Sequence, residues 1–235
     1  LDQVLPEELK PFYPFYFLAW TTTPWTLPSN TALTVGSKIE YCFVITFNQY
    51  TKKKITVLLA KALIEKVFTK NFFKIDNEND LDTFKNSDVK IPYFILGSCL
   101  GKNLENLKYD RIWEESPLPI ENPENAFRVI LGDFVTTEDG TGIVHTAPTF
   151  GADDYKAAKS AVPEVPPLQV LDEKGNKVPL VDLKGKFIKG LGLISGKYVK
   201  NEYYEPEDTP EKSVDVEIAI KLKEKNLAFK VEKYS

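Results

Sequence analysis

The sequence predicts a mixed β fold, a β-barrel core with helices on its periphery, in a single domain spanning 1–235. Three observations predict it. Short apolar runs with the spacing of strands recur along the chain, Gly, Pro, Asn and Asp separate them, and few stretches carry the three-to-four-residue period of a helix. The composition, 43% apolar and 27% charged, is ordinary for a soluble globular protein, and a chain of this length can bury a substantial core.

In chain order, 1–14 reads as an irregular leading segment containing Pro6, Pro11 and Pro14. Phe15 to Trp20 reads as the first strand, leading into a threonine-rich loop. Thr31 to Val35 and Tyr41 to Phe47 are strands divided by the turn residues Gly36 and Ser37, and a polar hairpin leads to Ile55 to Leu59. Between Ala60 and Lys70 the apolar Leu63, Ile64, Val67 and Phe68 fall on one helical face. Residues 71 to 88 read as a loop with a short strand or helix. Ile91 to Leu100 is an apolar run broken at Gly97, and the proline-spaced Ser116 to Phe127 should be an extended surface segment. Strands follow at Arg128 to Val135 and Ile143 to Thr146, then a helix from Gly151 to Ser160 closed by Pro163, Pro166 and Pro167. Gln169 to Leu171 and Lys177 to Leu180 flank a turn. Thr209 and Pro210 should cap a helix running to about Lys225, and Leu227 to Tyr234 alternates like an outgoing strand.

Charge and composition exclude several classes of function. The net charge is −4 and the positive charge is nearly all lysine, with Arg111 and Arg128 the only arginines. A protein that grips a duplex by itself is normally basic on one face and uses arginine for bidentate contacts. Contact with nucleic acid should therefore be small, such as one single-stranded end presented to a pocket. Cys42 and Cys99 stand alone and read as core residues. With His145 the only imidazole, a histidine-rich metal site is excluded, and no metal is expected. No apolar run approaches the roughly 20 residues that span a bilayer, and the first residues lack the pattern of a signal peptide. There is no methionine, which leads us to expect a piece of a larger protein.

Two stretches carry the chemistry. The first, FLAWTTTPWTLPSNTALTV from Phe17 to Val35, sets three consecutive hydroxyls, Thr21, Thr22 and Thr23, ahead of Pro24. Their χ1 angles are stiff and Pro24 pushes Thr23 towards an extended backbone, so the residues form a rigid, hydroxyl-lined edge. The same residues also suit an ordinary turn. The second, GTGIVHTAPTFGADDY from Gly140 to Tyr155, places His145 at the end of an apolar strand and Asp153 and Asp154 in the first turn of a helix. Both features have plain structural roles: a histidine satisfied by a backbone carbonyl, and acids facing the free amides of a helix N-terminus. No Gly-x-Ser-x-Gly motif accompanies them.

Together, and in this order, the two stretches resemble the editing domain inserted into the catalytic core of isoleucyl-tRNA synthetase, a class I synthetase. The valyl and leucyl relatives carry arginine after the paired threonines and an acid after the proline; Thr23 and Trp25 stand there instead, which points to the isoleucyl branch. Phe150, where bacterial isoleucyl enzymes usually have histidine, points to a eukaryotic cytosolic type. The resemblance implies a β-barrel core and a hydrolytic activity that removes valine from misacylated Val-tRNA(Ile) and helps clear valyl-adenylate, without a cofactor. The implied partners are the 3′-terminal aminoacyl-adenosine of tRNA(Ile), valyl-adenylate and the remaining domains of a cytoplasmic, monomeric synthetase, with no membrane.

The resemblance also assigns roles. Asp154 would hold the substrate's α-ammonium. Thr22 and Thr23 would grip the ester and terminal adenosine or orient the attacking water, with Thr21 beside them. His145 would be a steric and polar wall. Trp25 would pack beside the side-chain pocket or anchor the loop, and Asn30 would lie near the pocket or serve as a turn amide. Two other readings are open: a valyl-type or leucyl-type editing domain, and a noncatalytic module that merely holds a nucleotide end.

Overall fold

The computed structural model describes residues 5–232. Ten strands and three α-helices are connected by short 3-10 turns: β1 (Tyr16–Phe17), β2 (Ala32–Val35), β3 (Glu40–Phe47), β4 (Lys54–Ala60), α1 (Ile64–Val67), β5 (Phe72–Lys74), β6 (Ile91–Leu100), β7 (Arg128–Leu131), β8 (Ile143–Thr146), α2 (Ala152–Ser160), β9 (Gln169–Leu171), β10 (Lys177–Pro179) and α3 (Val214–Glu224). The strands form a five-stranded sheet in the order β1-β4-β3-β6-β5, a three-stranded sheet β7-β2-β8, and the hairpin β9-β10.

Alternation explains how the first sheet buries both faces. Tyr41 and Phe43 of β3, with Leu58 and Ala60 of β4, point to one side and meet Leu33, Val35, Val129 and Ile143 of the three-stranded sheet. The intervening Cys42, Val44, Val57 and Leu59 point the other way, onto Ile64, Val67 and Phe68 of the α1 region. Each fully buried side chain of this size contributes roughly 1.5–3 kcal/mol, so a central strand with two apolar faces is worth its entropy. A third core gathers Trp113, Leu168, Leu180, Phe187, Ile218 and Leu222. It anchors the C-terminal half, including α3.

The mixed β architecture with peripheral helices stands as expected, while the barrel is present only as two sheets wrapped on one core. Their link is backbone pairing at single points: Trp20 bridges Val144, and Lys108, beyond the end of β6, bridges Arg128. No closed ladder of strands runs through the described residues. A side chain strengthens the junction. The Tyr41 hydroxyl donates to the Gly142 carbonyl at 2.6 Å and accepts from the Gly36 amide at 3.0 Å. Gly142 sits at φ +74°, and a Cβ there would come within 2.5 Å of Ala60 Cβ, so the turn that enters β8 approaches β4 only because this residue is glycine. Tyr41→Phe leaves two buried partners unsatisfied and should cost about 2 kcal/mol in urea unfolding. A loss under about 0.5 kcal/mol would mean that the junction does not depend on this hydroxyl.

Several boundaries differ from expectation. The threonine loop does not pass directly into a strand: Pro24–Ser29 forms a 3-10 turn, with Pro24 at its first position. The helix expected over Ala60 to Lys70 is a 3-10 turn followed by the single α turn of α1, ending at Phe68. The last helix begins at Val214 and is capped by Ser213, whose Oγ accepts from the Val216 amide, rather than by Thr209. Residues 227–232 are not a strand; Asn48 Nδ2 and Gln49 Nε2 donate to the carbonyls of Ala228 and Phe229 and fix this segment irregularly. Residues 1–4 of the leading segment and residues 233 and 234 of the expected strand lie outside the described residues. Cys42 is buried, Cys99 half-buried, and both are free thiols.

Candidate active site

A cleft of about 560 Å³ opens where the threonine segment, the turn before β8 and the start of α2 converge. Thr21, Thr22, Thr23, Trp25, His145 and Asp154 all line it. Residues far apart in sequence are thus brought together. The cause is topological, because β2, which follows the threonines, pairs with β8, which carries His145 and leads into α2.

Within the threonine segment the hydroxyls are not equivalent. Thr21 Oγ1 accepts from the Thr23 amide at 3.0 Å and lies 3.4 Å from Thr23 Oγ1, so it shapes the turn. Thr22 is exposed, and its hydroxyl has no hydrogen-bond partner among the described residues. It is free to meet a ligand. Trp25 is held twice: its amide donates to Asp215 Oδ1 of α3 at 2.8 Å, and its ring packs edge-on against Phe150, with centroids 5.0 Å apart. Burial raises the pKa of Asp215, opposed by this amide. Trp25 therefore both lines the cleft and anchors the loop.

Asp154 projects from the first turn of α2 and is half-buried. Its Oδ2 accepts from the Ala147 amide at 2.8 Å, which ties the helix back to the end of β8 instead of capping the helix itself. Gly151 makes room for this fold-back, since a Cβ there would fall 2.7 Å from the Asp154 carboxyl carbon. The other oxygen, Oδ1, takes no hydrogen bond among the described residues. Burial pushes the carboxyl's pKa up, the Ala147 amide pulls it down, and the neighbouring Asp153 raises it again. A cation arriving in the cleft would relieve that penalty. Asp153 points elsewhere and pairs with Lys156 on the exposed face of the helix.

His145 is 8% exposed and engages both ring nitrogens with protein: Nδ1 is 2.8 Å from Asn30 Nδ2, and Nε2 is 3.0 Å from Thr26 Oγ1. Burial lowers its pKa from 6.5 to about 4, so the ring is neutral at pH 7. This has a sign that can be tested. Above pH 6.5 neither state binds the proton; between 6.5 and 4 the unfolded chain takes it and the folded chain does not, so stability falls as the pH falls. The full effect is about 3 kcal/mol. Urea unfolding at pH 7 and pH 4 should show a drop larger by roughly this amount in the wild type than in His145→Gln. Equal drops would contradict the burial of a neutral imidazole.

Asn30 does not reach the cleft. It lies behind His145, 6% exposed, and Tyr109, Thr26 and Phe150 complete the surroundings that the sequence did not single out as site residues. Thr26, three residues after Thr23 at the start of a proline-led turn, was the one with a local signal. Among the described residues no group of three or more His, Cys, Asp or Glu could hold a metal ion, and no helix is long and apolar enough to cross a membrane.

The chain is 50% identical over 230 residues to the isoleucine–tRNA ligase of Cytophaga hutchinsonii and 46% identical over 236 residues to that of Bacteroides fragilis. In both cases 93% of this chain is matched, and it spans about a fifth (20%) of the ligase's length. These relatives are bacterial, so the eukaryotic cytosolic type expected from Phe150 finds no support in them. No family profile matches the chain. Among solved structures, the cytosolic leucyl-tRNA synthetase editing domain of P. falciparum superimposes on 59% of this chain with a TM-score of 0.37, at 14% identity and over 43% of that chain.

Proposed function

We propose that this chain is the editing domain of an isoleucyl-tRNA synthetase and that its cleft hydrolyses the ester of misacylated Val-tRNA(Ile), with valyl-adenylate as a second substrate of the full-length enzyme. Homology to isoleucine–tRNA ligases supports the parent, and one observation carries the chemistry: a half-buried carboxylate with a free oxygen lines the same cleft as the threonine hydroxyls, and the cleft's only imidazole is uncharged. The α-ammonium of the aminoacyl group pairs with Asp154. Thr22 and Thr23 surround the ester and terminal adenosine, and water attacks the carbonyl carbon. The acyl–oxygen bond breaks, valine leaves as the acid, and the ribose oxygen takes the proton. An aminoacyl ester is intrinsically labile, so fixing it beside a water with hydroxyl donors near the carbonyl is a sufficient contribution. Water is the only co-reactant, and the setting is the cytoplasm.

The need for such a site follows from energetics. A pocket resolves one methylene by only about 1–3 kcal/mol, a limit for which isoleucyl-tRNA synthetase is itself the standard example. The test is the N-blocked substrate. If Asp154 reads the ammonium, N-acetyl-Val-tRNA(Ile) is spared by the full-length enzyme while Val-tRNA(Ile) is cleaved. Equal cleavage would remove the ammonium from recognition, and binding of the 3′ end with no cleavage of either ester would make the cleft a docking module.

A further inference from the structure

The hydrogen bonds around His145 have a direction, and it is fixed at the Asn30 end. At one end Asn30 Nδ2 sits 2.8 Å from the Ala32 carbonyl as well as 2.8 Å from His145 Nδ1, and Asn30 Oδ1 lies 2.5 Å from the Tyr109 hydroxyl. At the other end the Thr26 hydroxyl is 2.8 Å from the Thr23 carbonyl and 3.0 Å from His145 Nε2. Carbonyls only accept. With the Ala32 carbonyl at 2.8 Å and the Thr146 carbonyl at 3.4 Å, the amide must turn its NH₂ to this side, which makes Nδ1 an acceptor; the neutral ring then carries its proton on Nε2, and the Thr26 hydroxyl accepts it while donating to Thr23. Reversing the tautomer would set Nδ1–H against the NH₂ of Asn30. Turning the amide over would instead set Oδ1 against the Ala32 carbonyl. An imidazolium would need a second acceptor, and there is only one.

We propose that Asn30 and Tyr109 are a positioning pair that holds His145 in its Nε2–H tautomer, so that the wall of the cleft offers a ligand bulk and carbon atoms but no lone pair. The inference rests on the reading that the cleft takes a valyl ester. Neither residue touches the cleft. Their effect passes through the imidazole: with both nitrogens spent on protein, His145 can neither deprotonate a water nor attract the ammonium, which leaves that group to Asp154. Tyr109 is remote in sequence and its hydroxyl is buried, which raises its pKa and keeps it a donor.

The chain contains one histidine, so its imidazole signals can be read without ambiguity. In long-range ¹H–¹⁵N spectra of the untagged chain, Nε2 should be pyrrole-like and Nδ1 pyridine-like. Asn30→Asp, which puts a carboxylate oxygen where the NH₂ was, supplies the second acceptor that the wild type lacks, so Nδ1 should become protonated and pyrrole-like, whether or not Nε2 keeps its proton. Tyr109→Phe, which removes only the donor to Oδ1, should bring about a tenth or more of the second tautomer into the spectrum. In the full-length enzyme Asn30→Asp should narrow the preference for valyl over isoleucyl ester by about tenfold or more. A wild type with Nδ1–H, or a folded Asn30→Asp whose Nδ1 stays unprotonated, overturns the assignment. If Asn30→Asp does not fold, an unchanged spectrum in Tyr109→Phe overturns the pairing. An Nδ1 that is protonated in Asn30→Asp with unchanged ester preference overturns its role in recognition. If the spectra are as expected and the wild-type enzyme cleaves neither ester, the functional reading fails and the tautomer assignment stands.

Discussion

Asp154→Asn in the full-length enzyme is expected to lower cleavage of Val-tRNA(Ile) by about 100-fold while aminoacylation is unchanged. Removing one partner of a desolvated, hydrogen-bonded charge pair costs about 2–5 kcal/mol, and the lower half of that range applies to a half-buried carboxylate. Asparagine is the sharper substitution because Asp154 has two tasks. Its Oδ2 holds the Ala147 amide, and an amide oxygen can still do so. The free oxygen and the charge are what the substitution removes. Alanine would take away the fold-back as well and confuse structure with recognition. Wild-type cleavage by Asp154→Asn would reduce Asp154 to a clasp between α2 and β8.

His145→Ala is expected to act in the opposite direction, as a gain of the wrong activity. Removing the ring opens the wall against which the aliphatic side chain is measured, and correctly charged Ile-tRNA(Ile) becomes a substrate. Exclusion that rests on one methylene amounts to about 10–200-fold, so isoleucyl-ester cleavage should rise by that order. The variant should also lose stability, because the Thr26 hydroxyl and the Asn30 amide each lose a buried partner. Valyl-ester cleavage must persist for the result to count. A variant that cleaves valine and still spares isoleucine would show that His145 is not the sieve.

The parts of this arrangement legible in the sequence are those where local chemistry and tertiary demand agree. Tyr41 to Phe47, Ile55 to Leu59 and Ile143 to Thr146 read as strands because their alternating side chains serve the two faces that the fold buries. The threonines, His145 and Asp154 could be singled out because unusual residues cluster in two short stretches. The 3-10 turn at Pro24–Ser29 was not legible, since Pro24 and Pro28 suit an open loop equally well, and what the turn is folded against shows only in tertiary hydrogen bonds: the Trp25 amide to Asp215, Thr26 with His145, and the Ser116 hydroxyl to the Pro28 carbonyl. The alternation of 227–232 was misleading for a related reason. Side chains of Asn48, Gln49 and Tyr50 take up the backbone groups a neighbouring strand would have used. Asn30 was placed near the pocket, and its actual position behind the wall depends on Tyr109, 79 residues away.

The measurement that bears most directly on the central claim is single-turnover hydrolysis of Val-tRNA(Ile) and Ile-tRNA(Ile) by the wild-type full-length enzyme under identical conditions. A cleft that reads the ammonium through Asp154 and size through His145 predicts rapid loss of the valyl ester and an isoleucyl ester cleaved slower by a factor of about 10–200. Equal rates for the two esters, or binding of both with neither cleaved, would contradict it.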